Sequence, residues 1–129
     1  MSETAEHEYL LISRGQWDRE ASKQDIETAI GKFYAWYEHH LKTGRFKHGS
    51  RLGTEGAVVS RSGIMMDGPF GESKEVVGGY WFVVARSLRE AAELMSENPT
   101  LPYGVFFEIR PLEAERASVH KPSNETPKA

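Results

Sequence analysis

The stretch Val76-Val77-Gly78-Gly79-Tyr80-Trp81-Phe82-Val83-Val84-Ala85, with Ser87-Leu88-Arg89-Glu90 behind it, decides the fold. The first ten residues are β-branched, aromatic and small, the composition of a well-buried strand. Gly78-Gly79 inside the run marks a bulge or a close backbone approach. Ser87 to Glu90 is a full capping box, so a helix starts directly after the strand. Its inward residues are read as Leu88, Ala91, Ala92 and Met95, and it ends near Asn98-Pro99. Tyr103 to Arg110 is then a second strand, with Val105, Phe107 and Ile109 on one face and Phe106, Glu108 and Arg110 on the other.

The same strand-helix-strand plan precedes it. Tyr9 to Ile12 is a short apolar run closed by Ser13-Arg14-Gly15, and a polar connection with Trp17 follows. Ser22-Lys23-Gln24-Asp25 caps a long helix, in which Ile26, Ile30, Phe33, Tyr37 and Leu41 recur as one apolar stripe. Gly44 ends it and Arg45 to Leu52 forms the next strand. Ala57-Val58-Val59 and Ile64-Met65-Met66 flank Ser60-Arg61-Ser62-Gly63 as a hairpin, and Asp67-Gly68-Pro69-Phe70-Gly71 is a sharp turn. The order predicts an α+β domain: a ferredoxin-like βαββαβ sandwich with an inserted β-hairpin. Its helices cover one sheet face, and Trp81 and Phe106 are placed on the other. An uncovered apolar sheet face seeks a partner, so a homodimer packing two sheets face to face is expected.

Composition sets bounds on function. With 129 residues, 39% hydrophobic and 27% charged, the chain fits one globular domain. Residues 1–6 are read as a flexible N-terminus, 7–113 as the domain, and 114–129 as a disordered polar tail. The net charge is -3, and the densest basic group is Lys42, Arg45, Lys47 and Arg51, too small for a nucleic-acid footprint. The absence of cysteine excludes disulfides, thiolate zinc sites and a Cys nucleophile. The acidic start is no signal peptide, and no apolar run reaches the length of a membrane span, so no membrane partner and a cytoplasmic location are expected.

Met66-Asp67-Gly68-Pro69-Phe70-Gly71-Glu72-Ser73-Lys74-Glu75, with Gly78-Gly79-Tyr80-Trp81, resembles the signature of the YCII-related (DGPF-domain) family. Glu8 to Ile12 and Glu108-Ile109-Arg110-Pro111-Leu112 resemble its first and last strands, so the resemblance covers roughly residues 7 to 113. It implies a dimeric α/β-barrel of ferredoxin-like subunits. Most members have no assigned reaction. Some are associated with extracytoplasmic-function sigma factors, and one relative is a dehydrochlorinase acting on a chlorinated hydroquinone. Shorter relatives carry a proposed His–Asp pair whose His lies on the first helix. Here Phe33 takes that position, and His39 and His40 lie about two turns further on, so the pair is not reproduced.

Asp67 is the leading candidate for chemistry. It sits between Met65-Met66 and a Gly-Pro turn, where desolvation raises a carboxylate's pKa and suits proton transfer; the competing reading is an Asx turn that shapes the loop. His48 is its candidate proton partner, or else a solvent-facing strand residue. Arg14, Arg51 and Lys74 are candidates for holding an anion, and Phe70, Tyr80 and Trp81 for stacking a flat ligand; core packing is the competing role for Trp81. His39 and His40 point about 100° apart on a helix and cannot share one metal, so no metal site is expected. The glycines form neither a dinucleotide fingerprint nor a phosphate loop, so no cofactor is expected. Two readings stand: a small-molecule protein with Asp67-mediated, lyase-like proton transfer, or a non-catalytic dimeric accessory module linked, for example, to a sigma factor.

Overall fold

The computed structural model describes residues 5–66 and 76–128. Strand β1 (His7–Arg14) leads into helix α1 (Lys23–Thr43), then β2 (Phe46–Arg51), a hairpin of β3 (Ala57–Ser60) and β4 (Gly63–Met66), β5 (Val77–Ala85), helix α2 (Leu88–Met95) and β6 (Phe106–Pro111). The main sheet has the order β2-β5-β1-β6, and every neighbouring pair is antiparallel. With the hairpin set aside, this is the ferredoxin-like βαββαβ arrangement. The hairpin forms its own two-stranded sheet.

The helices start where their caps dictate. The Ser22 hydroxyl accepts from Asp25 N–H at 3.0 Å, and Gly44 closes α1 with its N–H to the Leu41 carbonyl. At α2 the Ser87 hydroxyl accepts from Glu90 N–H, while the Glu90 carboxylate reaches back to Arg86 N–H. After α2, the buried Asn98 side-chain carbonyl accepts from both Thr100 N–H and the Thr100 hydroxyl. That turn carries the chain through a short 3-10 segment, Leu101–Tyr103, into β6.

The core lies between the helices and one sheet face. Tyr9, Leu11, Phe46, Trp81, Val83 and Ala85 line the sheet side; Ala91, Leu94 and Met95 come from α2; Phe33, Trp36, Tyr37 and Leu41 press down from α1. Two expectations are corrected. Trp81 is 5% exposed and belongs to the helix-covered face, together with its β1 partner Leu11 and Leu11's own β6 partner Ile109. In α2, Leu88 and Ala92 face outward and Leu94 takes their place, since α2 turns Ala91, Leu94 and Met95 toward the sheet. The first helix also buries more than its stripe: Ala29 is its one fully buried residue among those described, and Trp36 joins the core beside Phe46, ring centroids 5.1 Å apart.

Strand β2 carries an irregularity that sets its side-chain directions. Lys47 pairs with Phe82 and Ser50 with Tyr80, so His48 and Gly49 together oppose Trp81. This is a bulge, and it needs glycine: a Cβ on Gly49 would overlap the Tyr80 carbonyl.

Candidate functional site

The helix-free face of the sheet is where apolar surface and charge meet. Alternation along β1 puts Glu8, Leu10, Ile12 and Arg14 on it, and β5 adds Tyr80, Phe82 and Val84. The β6 partners of Leu10, Ile12 and Arg14 are Arg110, Glu108 and Phe106, and β2 contributes Lys47 and Ser50. Leu10, Ile12, Tyr80, Phe82 and Val84 are only half-buried, and Phe106 is exposed. Tyr80 and Phe82 meet edge to face, centroids 6.1 Å apart.

The charges are ordered. Glu108 bridges two arginines: Arg14 Nη1 donates to Oε1 at 2.6 Å, and Arg110 Nη1 to Oε2 at 3.2 Å. Across the sheet, Lys47 pairs with Glu8. Three cations thus face two carboxylates, leaving one excess positive charge on the face among the described residues. Phe106 lies beside Arg14: a Cβ on Gly15 would meet its ring at 3.0 Å, a tight contact, and Gly15 has φ +82°, a conformation that favours glycine. Gly15 N–H donates to the Val76 carbonyl at 3.2 Å, which ties the end of the Asp67-containing connection next to Arg14.

The other face holds a different set. His48 is exposed and meets the ring of Tyr37 on α1, centroids 6.4 Å apart. Burial pushes the Tyr37 phenol above its ordinary 10.0, against the lowering effect of its contact with the Gly49 backbone. His40 packs on Phe46 at 4.9 Å and on Trp36 at 5.4 Å. Burial, then the nearby His39 and Arg45, hold its pKa below 6.5.

The sheet therefore divides the expected site residues. Arg14 and Tyr80 share the open face. Trp81 is in the core, His48 stands over Tyr37 on the helix side, and Arg51, paired with Gly79, is exposed at the end of β2. His48 is thus not brought to Arg14. Asp67, Phe70 and Lys74 lie outside the described residues. Sequence reading places Glu108 and Arg110 on one strand face but does not place Glu108 between two arginines, nor Ile12 and Phe82 as the apolar floor. The signal was present in β1, where Glu8, Leu10, Ile12 and Arg14 alternate with Tyr9, Leu11 and Ser13.

Away from this face, a cleft of about 80 Å³ lies between α1 and the 3-10 segment, lined by Asp25, Thr28, Lys32, Pro99 and Tyr103. Ligand pockets run from about 300 Å³ upward, so this cleft is of solvent size. Among the described residues no group of three or more His, Cys, Asp or Glu could hold a metal ion, and no helix is long and apolar enough to cross a membrane.

A profile of the YCII-related domain matches residues 9–114. The chain belongs to the YCII-related family. No curated protein matches this YCII-related chain. Among solved structures it is similar to the hydroxynitrile lyase from Passiflora edulis (PeHNL), at 11% identity and a TM-score of 0.41, over 86% of this chain and 98% of that one. The ferredoxin-like assignment stands on the strand order and register of the YCII-related chain itself.

Proposed function

We propose that this YCII-related protein binds a small, flat organic anion at the Arg14 end of its open sheet face, within a homodimer that packs two such faces together. The arrangement of Arg14, Glu108 and Arg110 beside Phe106 and Tyr80 carries this reading. A carboxylate or phenolate on the ligand competes with Glu108 for the two guanidiniums, which suit planar two-oxygen groups. The ring of the ligand stacks on the aromatic floor. The half-buried row Leu10, Ile12, Phe82 and Val84 is the surface that a second copy covers.

Asp67 is the proposed proton-transfer group of this site, and the reaction class is lyase-like. Its support is the sequence context together with the Gly15–Val76 hydrogen bond, which ends the same connection beside Arg14. Phe70 and Lys74, on that connection, are proposed as further ligand contacts. His48 lies on the face opposite Arg14, over Tyr37, and is left out of the proposed step.

The test is a thermal-shift screen of aromatic carboxylates and halogenated hydroquinones on wild type, Arg110→Gln and Asp67→Asn. A ligand at a hundred times its Kd stabilises the folded state by about 2.7 kcal/mol. A shift that disappears in Arg110→Gln and is altered in Asp67→Asn is the expected result. Hits indifferent to Arg110→Gln would sink the proposed site. No hit on a well-folded dimer would favour the accessory-module reading instead, including a sigma-factor link.

A further inference from the structure

The inserted hairpin is apolar on both sides and buried on neither. Ala57 pairs with Met66, Val58 with Met65 and Val59 with Ile64. Cross-strand partners share a face, so Ala57, Val59, Ile64 and Met66 form one plate and Val58 and Met65 the other. Val59, Ile64 and Met66 are 74%, 73% and 68% exposed, against 37% for Val58 and 53% for Met65. An isolated two-stranded hairpin is at best marginally stable in water, and strands apolar on both faces are characteristic of sheets covered on both sides. Between Ala57 and Met66 the only charged residue is Arg61, in the turn. The plate therefore offers no charge pattern to a nucleic acid or an acidic protein, and fits an apolar surface.

The same chain carries such a surface. The two stems of the hairpin insertion are anchored at one end of the main sheet: Leu52 N–H donates to the Gly78 carbonyl at 2.9 Å, and Gly15 N–H to the Val76 carbonyl. Both anchors lie at the end of the main sheet where β1 finishes with Arg14 and β2 with Arg51. The open face has four strands, and at about 4.8 Å per strand and about 3.3 Å per residue it spans on the order of 400 Å² taken flat. A stable interface buries about 800 Å² per partner, so the face alone supplies on the order of half of it.

We propose that the β3–β4 hairpin is a dimer arm whose Val59–Ile64 plate lies on a second copy of this chain, extending the contact made by the sheet faces. The proposal rests on the sheet-face dimer put forward above, and its test separates the two. The chain has no cysteine, so Val59→Cys gives a single attachment point for a photoactivatable benzophenone. Labelled heavy-nitrogen protein is mixed with unlabelled light-nitrogen protein, allowed to exchange subunits, irradiated, and read by mass spectrometry of cross-linked peptides. In parallel, sedimentation measures self-association of wild type, Ile64→Asp and Phe82→Asp. Cross-links joining heavy to light chains, with self-association weakened about tenfold or more in Ile64→Asp, are the expected results. Same-isotope cross-links only, with Ile64→Asp dimerising like wild type, would overturn the arm while leaving the sheet-face dimer standing if Phe82→Asp is monomeric. Heavy-to-light cross-links with Phe82→Asp still dimeric would keep the arm and remove the sheet-face contact. A monomeric wild type would remove both.

Discussion

His40 shows how one side chain couples the core to pH. Its ring is wedged against Trp36 and Phe46, with Nδ1 buried and without a hydrogen-bond partner among the described residues. Burial, His39 and Arg45 disfavour its charged form, and Glu97 opposes them only in part. Because the folded pKa lies below the ordinary 6.5, the unfolded chain binds more protons just below that value. Stability from this group is complete above about pH 6.5 and falls as the pH drops toward the folded pKa. Urea unfolding of wild type and His40→Gln from mildly alkaline to mildly acidic pH checks this: the variant loses part of the acid-side slope, and an unchanged slope would refute it. The residue was only half legible. An apolar stripe of Ile26, Ile30, Phe33, Tyr37 and Leu41 is plain in the sequence, but Trp36 and His40 flank it, and only the position of Phe46 turns them inward.

Among elements, α2 was legible in its start and not in its phase. The Ser87 half of the capping box is present as read, while the Glu90 carboxylate accepts from the Arg86 N–H one residue earlier; that N–H and the Arg86 guanidinium hold the Glu90 carboxyl below its usual range. Ser87→Ala is expected to cost about 1 kcal/mol of stability by denaturant unfolding. A change below a few tenths would mean that Glu90 alone secures the helix start. Eight residues carry too few turns to phase a stripe, so Leu88 was read as inward where Leu94 is. The same ambiguity affected β5: Tyr80, Phe82 and Val84 are as apolar as Trp81, Val83 and Ala85, and strand alternation alone does not say which set meets the helices. The bulge at His48-Gly49 has no sequence marker beyond one glycine, yet it shifts the alternation so that Ser50 shares the face of Lys47.

For the whole molecule, element order was enough: strand, helix, strand, hairpin, strand, helix, strand allows few architectures, and the observed sheet order is the expected one. The division of candidate residues between two sheet faces was beyond it, because it depends on register. The domain boundary proposed at residue 113 predicts a further outcome. Residues 114–128 contain no helix or strand, are exposed throughout, and pair mainly with each other, as in Lys121–Glu115 and Ser123–Thr126. Removing residues 114–129 should therefore leave the unfolding free energy within about 0.5 kcal/mol of the full chain. A larger loss in a denaturation series would show the tail to be part of the fold.

The aromatic cluster beneath α1 has an optical consequence. Of the three tryptophans, Trp81 and Trp36 sit in the core with indole N–H groups that meet no acceptor among the described residues, while Trp17 is exposed. An indole in apolar surroundings emits at shorter wavelength than one in water. Native fluorescence is therefore a blue component from the core over a solvent-like one from Trp17, and Trp17→Phe would isolate the first. With no added dye, its colour then reports whether α1 still lies on the sheet.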